Sequence, residues 1–523
     1  NSGGVRWFEN DGTQNFTERD IYTSGNSTRE VYAFDFEGDG DLDLVTTDLG
    51  NDELLILVND GSQPLTFTKE VLGTPTRAFD AYPADMDLDG RMDLVMAYGD
   101  RDTVTWLDLE PQQGPGGVGF EATSFLWLDA ADGSEFNASN QATAWRDQIG
   151  NRADALPGTN APTYSATGGP NNQPAWLFTG NETFEASFAE PFTDYTFFAV
   201  FTHKTGTGAV FELDDNQNNR SIVRADVAGN QLTYFEQDGG GSNTVSGASY
   251  SSDEAVLFSG THTGSTYDLF KNGTAFAGNP INGQATGMKD RFILGSEQGG
   301  ANALDGTLSE CLITRGDLGL VKRRLVLNYL TAKYDLSLPT AEEFYTGDDL
   351  AGNFDFGLIG IGRESSTDLQ EVASGDELAF KVGSGLTNGD YLLAGHNGAS
   401  GVNNTDVATT NTTNIEARLE RIWYYEVTDA GNDLTVDITF AVSGEDLSAA
   451  TATDYSLLYR ANPTDDWTEF DPDGDRLGSV IFEGVPVGNN GSGYYTIGTV
   501  DPQNSPLPVE LTDFSARWQG PDA

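Results

Sequence analysis

Two acidic segments, 35–45 and 85–95, follow one pattern of side chains. Each has acidic residues at positions 1, 3, 5 and 9, a glycine at position 6, and an apolar pair after the last acid. Gly40 and Gly90 let the backbone turn sharply. Ca²⁺ takes about six to eight oxygen ligands at flexible geometry, which alternating carboxylates and the backbone carbonyl of position 7 can supply. The residues predicted to hold Ca²⁺ are Asp35, Glu37, Asp39, Asp41 and Asp43 in the first segment and Asp85, Asp87, Asp89, Arg91 and Asp93 in the second, with Asp41 and Arg91 at position 7.

The residues that follow the loops distinguish two kinds of calcium site. A helix-loop-helix site has a bidentate glutamate at position 12 and needs helices on both sides, whereas this chain has Thr46 and Met96 there. The flanking runs 42–47 and 92–97 are short and rich in apolar residues, which is typical of strands. We therefore predict calcium loops between strands. The alternative is an acidic, solvated turn without metal, but carboxylates this close repel one another unless a cation lies among them.

The loops begin 50 residues apart (85 − 35), and their surroundings repeat too. Trp7 to Gly12 followed by Phe16 to Ile21 is similar to Leu57 to Gly61 followed by Phe67 to Val71. A period of this size with several short strands per unit is typical of propeller blades. Residues 1 to about 110 thus resemble FG-GAP/VCBS repeats, the calcium-binding blades of integrin-like β-propellers. Because propellers close with about four to eight blades, the resemblance predicts an incomplete propeller over 1–115 and a chain that starts inside a domain.

Charge and cysteine content exclude several classes of partner. The chain has 27 Lys and Arg against 81 Asp and Glu, a net charge of −54. Such a surface repels nucleic acid and anionic lipid, so we expect neither as a partner. Cys311 is the single cysteine, which excludes a disulfide within the chain. No apolar run approaches the roughly 20 residues that span a bilayer, so no membrane insertion is expected. The acidity suits salt-rich or calcium-rich water as well as an ordinary extracellular setting.

A different pattern follows the Gly-rich segment Gln112 to Gly117, whose composition predicts a linker. Short apolar runs such as 196–201, 255–260 and 292–295 alternate with Gly, Asn and Asp turns, which is typical of an all-β sandwich. Helical spacing of apolar residues appears near the end of this stretch, between Leu318 and Leu330. We predict a β-sandwich over 116–340 that ends in one helix.

Several phrases of this region resemble the laminin-G/concanavalin-like jelly rolls that are common in surface proteins of Bacteroidota. The phrases are Phe125 to Ala130, Ala144 to Gln148, Pro174 to Gly180, Asp268 to Gly273, Gly306 to Glu310 and Tyr329 to Tyr334. The resemblance implies a domain that binds carbohydrate or protein, often with calcium. Some related jelly rolls cleave polysaccharides, which makes a polysaccharide-active enzyme the main alternative.

A search for catalytic groups finds no complete set. Glycosidases of this fold carry Glu-x-Asp-x-(x)-Glu on one strand, because alternate residues share a face and can surround one sugar bond. The nearest approach, Glu212 with Asp214, lacks the second glutamate. His203, His262 and His396 are scattered, and we expect them to be solvated or to cap backbone groups. Trp127, Trp145 and Trp176 lie in apolar phrases and are predicted to be core residues. No residue is therefore predicted to be catalytic, and no ligand-binding residue is assigned.

The chain continues with a second sandwich and a short tail. Apolar runs at the separations of a sandwich predict a further β-module over 341–503, similar to one that often follows the jelly roll in bacterial surface proteins. The tail 504–523 contains Leu507 to Phe514, which resembles the phrase that opens later β-modules of Bacteroidota proteins exported by type IX secretion. We expect this module to be cut short at the end of the chain.

Together these features predict an all-β, calcium-binding, non-catalytic protein of the extracellular cell surface. We expect an adhesin or a subunit of a surface fibre that binds glycan or a surface protein. The alternatives are a polysaccharide-active enzyme of the concanavalin-like class and a purely architectural unit that polymerises with copies of itself by strand or domain exchange.

Overall fold

The computed structural model describes residues 4–507 with gaps at 11–14, 24, 26, 35–41, 52, 60–64, 74–77, 85–92, 99–102, 108–112, 120–124, 149–153, 216–218, 239–240, 284–286, 376, 411–414, 443–452, 477–478 and 506. Within these residues strands far outnumber helices, which confirms the predicted all-β class. The chain divides into two compact units, Asn1–Glu110 (unit 1) and Pro111–Ala523 (unit 2).

Unit 1 consists of antiparallel strands in small sheets. Its described strands are β1 (Val5–Asn10), β2 (Phe16–Tyr22), β3 (Thr28–Phe34), β4 (Asp43–Asp48), β5 (Glu53–Asn59), β6 (Phe67–Gly73), β7 (Ala78–Ala84), β8 (Asp93–Tyr98) and β9 (Thr103–Leu107). They pair as β1-β2, β3-β4-β5-β6 and β7-β8-β9. The four-stranded sheet β3 to β6 has the size of one propeller blade, and Val45, Leu54 and Ile56 are buried in its core. The predicted strands after both acidic loops are confirmed as β4 and β8.

The first part of unit 2 is a sandwich of two large antiparallel sheets. Its described elements are β10 (Gln113–Gly114), β11 (Val118–Gly119), β12 (Phe125–Asp129), β13 (Ser134–Phe136), β14 (Ala142–Trp145), β15 (Leu156–Pro157), β16 (Thr163–Ser165), β17 (Ala175–Thr179), β18 (Phe184–Phe192), β19 (Tyr195–His203), β20 (Thr207–Asp214), β21 (Arg220–Asp226), β22 (Gln231–Asp238), β23 (Gly241–Gly247), β24 (Val256–Thr263), β25 (Thr266–Lys271), β26 (Thr274–Ala275), β27 (Ile281–Asn282), β28 (Lys289–Leu294), β29 (Asp305–Arg315) and the helix α1 (Leu320–Tyr334). The predicted helix is thus confirmed.

Strands far apart in sequence form these sheets. In the described residues one sheet runs β16-β17-β29-β19-β24-β25-β26, with β12 on β29 and β27 on β25, and the other runs β15-β18-β28-β20-β21-β22-β23. The inner faces enclose a core rich in aromatic residues, in which Trp145 and Trp176 are fully buried as predicted. Cys311 is buried in the same core. Burial of this apolar surface is the main driving force for folding of the sandwich.

The second part of unit 2 is another antiparallel sandwich. Its described elements are β30 (Phe356–Arg363), β31 (Leu369–Gln370), β32 (Val372–Ser374), β33 (Leu378–Ser384), β34 (Asp390–His396), β35 (Val402–Asn403), β36 (Ala417–Leu419), β37 (Trp423–Thr428), β38 (Thr435–Ala441), β39 (Tyr455–Arg460), β40 (Thr468–Phe470), β41 (Gly474–Arg476), β42 (Ser479–Val485), the short helix α2 (Val487–Asn490) and β43 (Gly493–Thr499). One described sheet runs β31-β30-β34-β37-β43-β36-β35, with β39 on β43 and β40 on β39, and the other runs β32-β33-β38-β42-β41.

Helix α1 connects the two sandwiches of unit 2. Leu325, Val326 and Leu330 of the helix belong to an apolar cluster with residues of both sandwiches, including Phe198 and Leu393. No described helix combines the length and apolar character needed to cross a bilayer.

The described part of the Gly-rich segment lies at the start of unit 2 and is packed, which differs from the flexible linker that its composition predicts. Gly114 to Val118 are buried, and the Gly116 carbonyl accepts a hydrogen bond from the Gly360 N–H at 2.9 Å. A Cβ on Gly116 would lie 2.8 Å from the backbone of Leu325. Glycine here allows close approach of the segment to α1, a role that composition does not distinguish from flexibility.

Candidate functional site

The first candidate site is the pair of acidic loops in unit 1. The predicted ligands that lie outside the described residues are Asp35, Glu37, Asp39, Asp41, Asp85, Asp87, Asp89 and Arg91. Asp43 is described in full, and Asp93 is described as the first residue of β8. The strands that enter and leave each loop define its two ends.

Both loops close hairpins of the same construction. Phe34, the last residue of β3, pairs with Asp43, the first residue of β4. Ala84, the last residue of β7, pairs with Asp93, the first residue of β8. Positions 1 to 8 of the acidic pattern thus span the connection in each hairpin, and position 9 opens the outgoing strand. The two loops are equivalent in length and attachment, as the 50-residue repeat predicts.

The carboxylate of Asp43 is fixed at the base of the first loop. The residue is fully buried, and its Oδ1 accepts the backbone N–H of Asn59 at 2.7 Å. Asn59 also donates its side-chain amide to the Leu42 carbonyl at 3.3 Å. Burial of a carboxylate is costly without hydrogen bonds or a cation. A position-9 carboxylate held at the loop base in this way fits the oxygen-rich ligand set that Ca²⁺ requires.

The described residues outside these loops add no metal cluster. Among them, no group of three or more His, Cys, Asp or Glu side chains is arranged to hold an ion.

A second candidate site is the outer face of the sheet that contains β20, β21 and β28. Leu213 points into the sandwich core, so its neighbours Glu212 and Asp214 share the opposite face. Arg220 donates to Glu212 through Nε at 2.5 Å and through Nη2 at 2.8 Å. Arg291 donates to Asp214 in the same two-pronged way at 2.8 and 2.6 Å. Both carboxylates that most resemble a glycosidase motif are thus bound by arginines on both oxygens.

Glu297 extends this network across the sheet. It accepts Arg224 Nε at 2.8 Å and Arg220 Nη2 at 3.2 Å, and Asn302 also donates to it. Burial alone would raise the pKa of Glu297, but hydrogen bonds from Arg224 and Asn302 hold it below its usual value. The hydrogen bond to Glu212 raises the pKa of Arg220.

In this network the carboxylates are buried and the arginine side chains are partly exposed to solvent. The side chains of Glu212, Asp214 and Glu297 are 0, 1 and 7% exposed, whereas those of Arg220 and Arg291 are 21 and 22% exposed. Arg224 lies with its guanidinium carbon 4.9 Å from the centre of the half-buried Phe235 ring. An aromatic ring beside planar, preorganised donors is a combination that can contact a sugar ring and its hydroxyl groups. We name this surface the arginine face, defined by Arg220, Arg224, Arg291 and Phe235.

Sequence reasoning did not find the arginine face. Glu212 and Asp214 were identified, but their arginine partners lie on β21 and β28. Arg291, the partner of Asp214, is 77 residues from it in the sequence. The local signal was the spacing of Arg220 and Arg224, which places both on one side of β21.

Two of the histidines are buried, and two cap backbone groups, which is one of the two predicted roles. His203 and His262 are 0 and 1% exposed, so neither is solvated, and Nδ1 of His396 accepts the Gly398 N–H at 3.0 Å. His203 does cap a backbone group, because its Nδ1 accepts the Asp305 N–H at 3.2 Å. Burial lowers the pKa of His203. Both residues occur in strands with aromatic neighbours, and the inward-facing register of the strands decides their burial.

Comparison with known proteins identifies the repeats of unit 1. The model of a family described as FG-GAP-like repeat matches residues 1–46 and 35–96, which confirms the predicted resemblance for this part of the chain. No match is found among curated proteins.

Similar solved structures include carbohydrate-active proteins. Domain 4 of AbnA, a GH43 extracellular arabinanase from Geobacillus stearothermophilus in complex with arabinotriose, is 12% identical over 38% of this chain and 98% of that chain, with a TM-score of 0.29. A Trypanosoma rangeli sialidase is 12% identical over 60% of this chain and 54% of that chain, with a TM-score of 0.32. The carbohydrate-binding module CBM66 from Bacillus subtilis is 12% identical over 29% of this chain and 89% of that chain, with a TM-score of 0.19. At identities and TM-scores this low the likeness carries no functional argument.

Proposed function

We propose that this chain is a non-catalytic, calcium-binding protein of the extracellular cell surface, an adhesin or a surface-fibre subunit that binds glycan or protein. The observation that carries the proposal is the pair of equivalent acidic loops, each closing a hairpin within FG-GAP-like repeats. The acidic surface and the resemblance of the tail to type IX export phrases support an extracellular location.

Calcium would serve a structural role in these repeats. The five acidic side chains of the first loop and the four of the second each lie within nine residues, and they repel one another strongly when no cation is present. The strands around each loop already hold position 9 at the loop base. A cation bound by the loop carboxylates would offset the repulsion and fix the connection between paired strands.

The first prediction is that chelation destabilises unit 1. An ion present at about 100 times its Kd adds about 2.7 kcal/mol to the free energy of unfolding, which corresponds to about 10 °C or more in a unit of this size. We expect EGTA to lower the melting temperature of unit 1 by that order, and excess Ca²⁺ to restore it. Metal analysis of the calcium-loaded protein should give two ions.

Single substitutions assign each ion to a loop. Asp35→Ala and Asp85→Ala should each remove one ion and leave the other, because the loops belong to separate hairpins. Glu30→Ala is the matched control, since Glu30 is an exposed acid of β3 outside the pattern. A melting curve that chelator leaves unchanged, or an equal loss of ions in Glu30→Ala, would contradict the assignment.

The arginine face is our candidate for the surface that holds the ligand. Its arginines are fixed by buried carboxylates, so their donor groups lose little conformational entropy on binding. The Phe235 ring adds an apolar contact beside Arg224. Since Glu212 and Asp214 are occupied by arginines, this face supports binding rather than acid-base catalysis.

The second prediction is that substitutions in this face weaken binding without unfolding the chain. A glycan array with Ca²⁺ present would select the ligand. Phe235→Ala and Arg224→Ala should each raise its Kd by about tenfold or more, the effect of losing a central contact. Arg146→Ala is the matched control, because Arg146 is an exposed arginine paired with Glu135 and Asp154 elsewhere in the same sandwich. Unchanged Kd values in both face variants, with melting curves intact, would place the ligand elsewhere.

A further inference from the structure

A lysine and two carboxylates from three separate elements meet at the end of helix α1. Asp129 is the last residue of β12, Glu310 lies in β29, and Lys333 lies in the last turn of α1. Their side chains are 2, 0 and 12% exposed. The cluster thus joins the first strand of the large sheet to the helix that closes the sandwich, and it is almost entirely shielded from water.

Lys333 contacts both carboxylates at once. Its Nζ forms an ion pair with Asp129 Oδ2 and lies 2.9 Å from Glu310 Oε2. The rings of Tyr329 and Tyr334 are each centred 5.4 Å from this nitrogen. The Tyr329 hydroxyl also accepts a hydrogen bond from Nζ at 3.1 Å. The amine is therefore held against a carboxyl group in a buried, aromatic enclosure.

The hydrogen bonds distinguish the two carboxylates. Asp129 Oδ1 accepts the backbone N–H of Ala131 at 2.8 Å, on the oxygen that does not face the lysine. Glu310 accepts Trp127 Nε1 at 2.7 Å and the hydroxyl of Tyr334 at 2.9 Å. One oxygen of Asp129 is thus polarised by the Ala131 N–H, and the other faces Lys333. Glu310 contacts the same amine through Oε2.

The electrostatics make Glu310 suitable for carrying a proton. Burial, with the nearby Asp129 charge, raises the pKa of Glu310 to about 7. Burial alone would lower the pKa of Lys333, but Asp129 and Glu310 hold it well above its usual value. The resting cluster therefore contains an ammonium group whose nearest proton acceptors are the two carboxylates.

We propose that Lys333 and Asp129 become joined by an intramolecular amide bond, formed after folding with Glu310 as the proton carrier. Glu310 takes a proton from the Lys333 ammonium, and the freed Nζ attacks Cγ of Asp129. The charge that develops on Oδ1 is stabilised by the Ala131 N–H, as in an oxyanion hole. Glu310 passes this proton to Oδ2, and a second proton from the amine reaches the same oxygen, which then leaves as water. The C–O bond breaks, the C–N bond forms, and Glu310 ends as it began.

The fold supplies what such a condensation requires. Attack of an amine on a carboxylate is slow in water, but fixed proximity and exclusion of solvent can supply effective molarities of about 10⁵ M or more. The protein has a single cysteine and cannot form a disulfide within the chain. An amide between β12 and α1 would give this sandwich a covalent link between its first large-sheet strand and its closing helix, which resists mechanical opening.

Mass spectrometry of the full chain tests this inference. We expect the intact mass to be lower than the sequence mass by one water molecule, and proteolysis to yield one branched peptide that contains Asp129 and Lys333. An intact mass equal to that of the sequence would overturn the proposal. A mass deficit of one water whose branched peptide contains another pair, such as the buried Lys289 and Glu236, would overturn it as well.

Two variants test the roles of the residues. Lys333→Arg keeps the positive charge but cannot form the amide, so its mass should equal its own sequence mass. Glu310→Gln keeps the size of the side chain but cannot carry the proton, and it should remain unlinked while its circular dichroism stays that of a folded sandwich. A linked Glu310→Gln chain would contradict the proton-carrier role. The wild-type mass alone decides the bond, whether or not a variant folds.

Discussion

Replacement of Leu325 by alanine is expected to lower the free energy of unfolding of unit 2 by about 2–5 kcal/mol, the range for truncating a buried leucine. Leu325 is 1% exposed in the apolar cluster that α1 shares with both sandwiches. Gly360 approaches so closely that a Cβ on it would lie 2.6 Å from Leu325 Cδ2. The packing leaves little room for collapse around the smaller side chain, so the cavity should persist.

The loss of stability should affect both sandwiches, because other contacts of α1 also connect them. Asp368, from the second sandwich, caps the N-terminus of the helix by accepting the Leu320 and Val321 N–H groups at 3.1 and 3.2 Å. Arg324 donates to Tyr391 at 3.1 Å and pairs with Glu364. The helix therefore acts as a common structural element of the two sandwiches.

Denaturant unfolding measures this effect. Tyrosine and tryptophan signals from the two sandwiches should move together to lower denaturant in Leu325→Ala, with an unchanged slope. Leu156→Ala is the matched control, because Leu156 is 54% exposed in β15, and surface changes usually stay within about 0.5 kcal/mol. If only one sandwich unfolded at lower denaturant concentration in Leu325→Ala, or if the two substitutions had equal effects, the result would argue against a shared core.

Local patterns in the sequence predicted the elements of this fold well. Apolar runs bounded by Gly, Asn and Asp predicted the strands β19, β24 and β28, because the burial of side chains and the chemistry of turns both depend on residues nearby in the sequence. The helical spacing after Leu318 predicted α1 for the same reason. The acidic repeat predicted two hairpins of equal construction.

Contacts between distant residues could not be predicted in this way. Gln112 to Gly117 has the composition of a linker, yet Gly116 packs on α1 because glycine permits close approach. Arg291 and Asp214 are brought together by the pairing of β20 with β28. Lys333 meets Asp129 because helix α1 packs on the sheet. Asp129, Glu310 and Lys333 do lie in three of the phrases that resemble jelly-roll domains, but the resemblance gave no reason to connect them.

Replacement of Lys289 by methionine is the second substitution with a large expected effect. Lys289 and Glu236 are both fully buried, and their Nζ and Oε1 atoms are 3.2 Å apart. Glu236 also accepts hydrogen bonds from Tyr234 at 3.0 Å and from Ser221. Removing one partner leaves a buried carboxyl group without its cation, which costs about 3–5 kcal/mol.

The stability lost in Lys289→Met should increase as the pH rises. Burial raises the pKa of Glu236 even with Lys289 present, and loss of the cation should raise it further. A carboxyl group whose folded pKa exceeds its unfolded pKa contributes stability that is complete below the unfolded pKa and is lost as pH rises through the folded value. Lys289→Met should therefore be less stable at pH 8 than at pH 5, relative to the wild type.

The double variant separates the cost of an unpaired charge from the value of the pair. Glu236→Gln combined with Lys289→Met removes both charges, and replacement of a buried ion pair by neutral groups is often nearly neutral. We expect it to regain much of the stability lost in Lys289→Met and to lose the added pH dependence. Lys204→Met, at an exposed lysine of the same sandwich, controls for removal of a surface charge. If the double variant were as unstable as Lys289→Met at both pH values, packing rather than the unpaired carboxyl group would determine the effect.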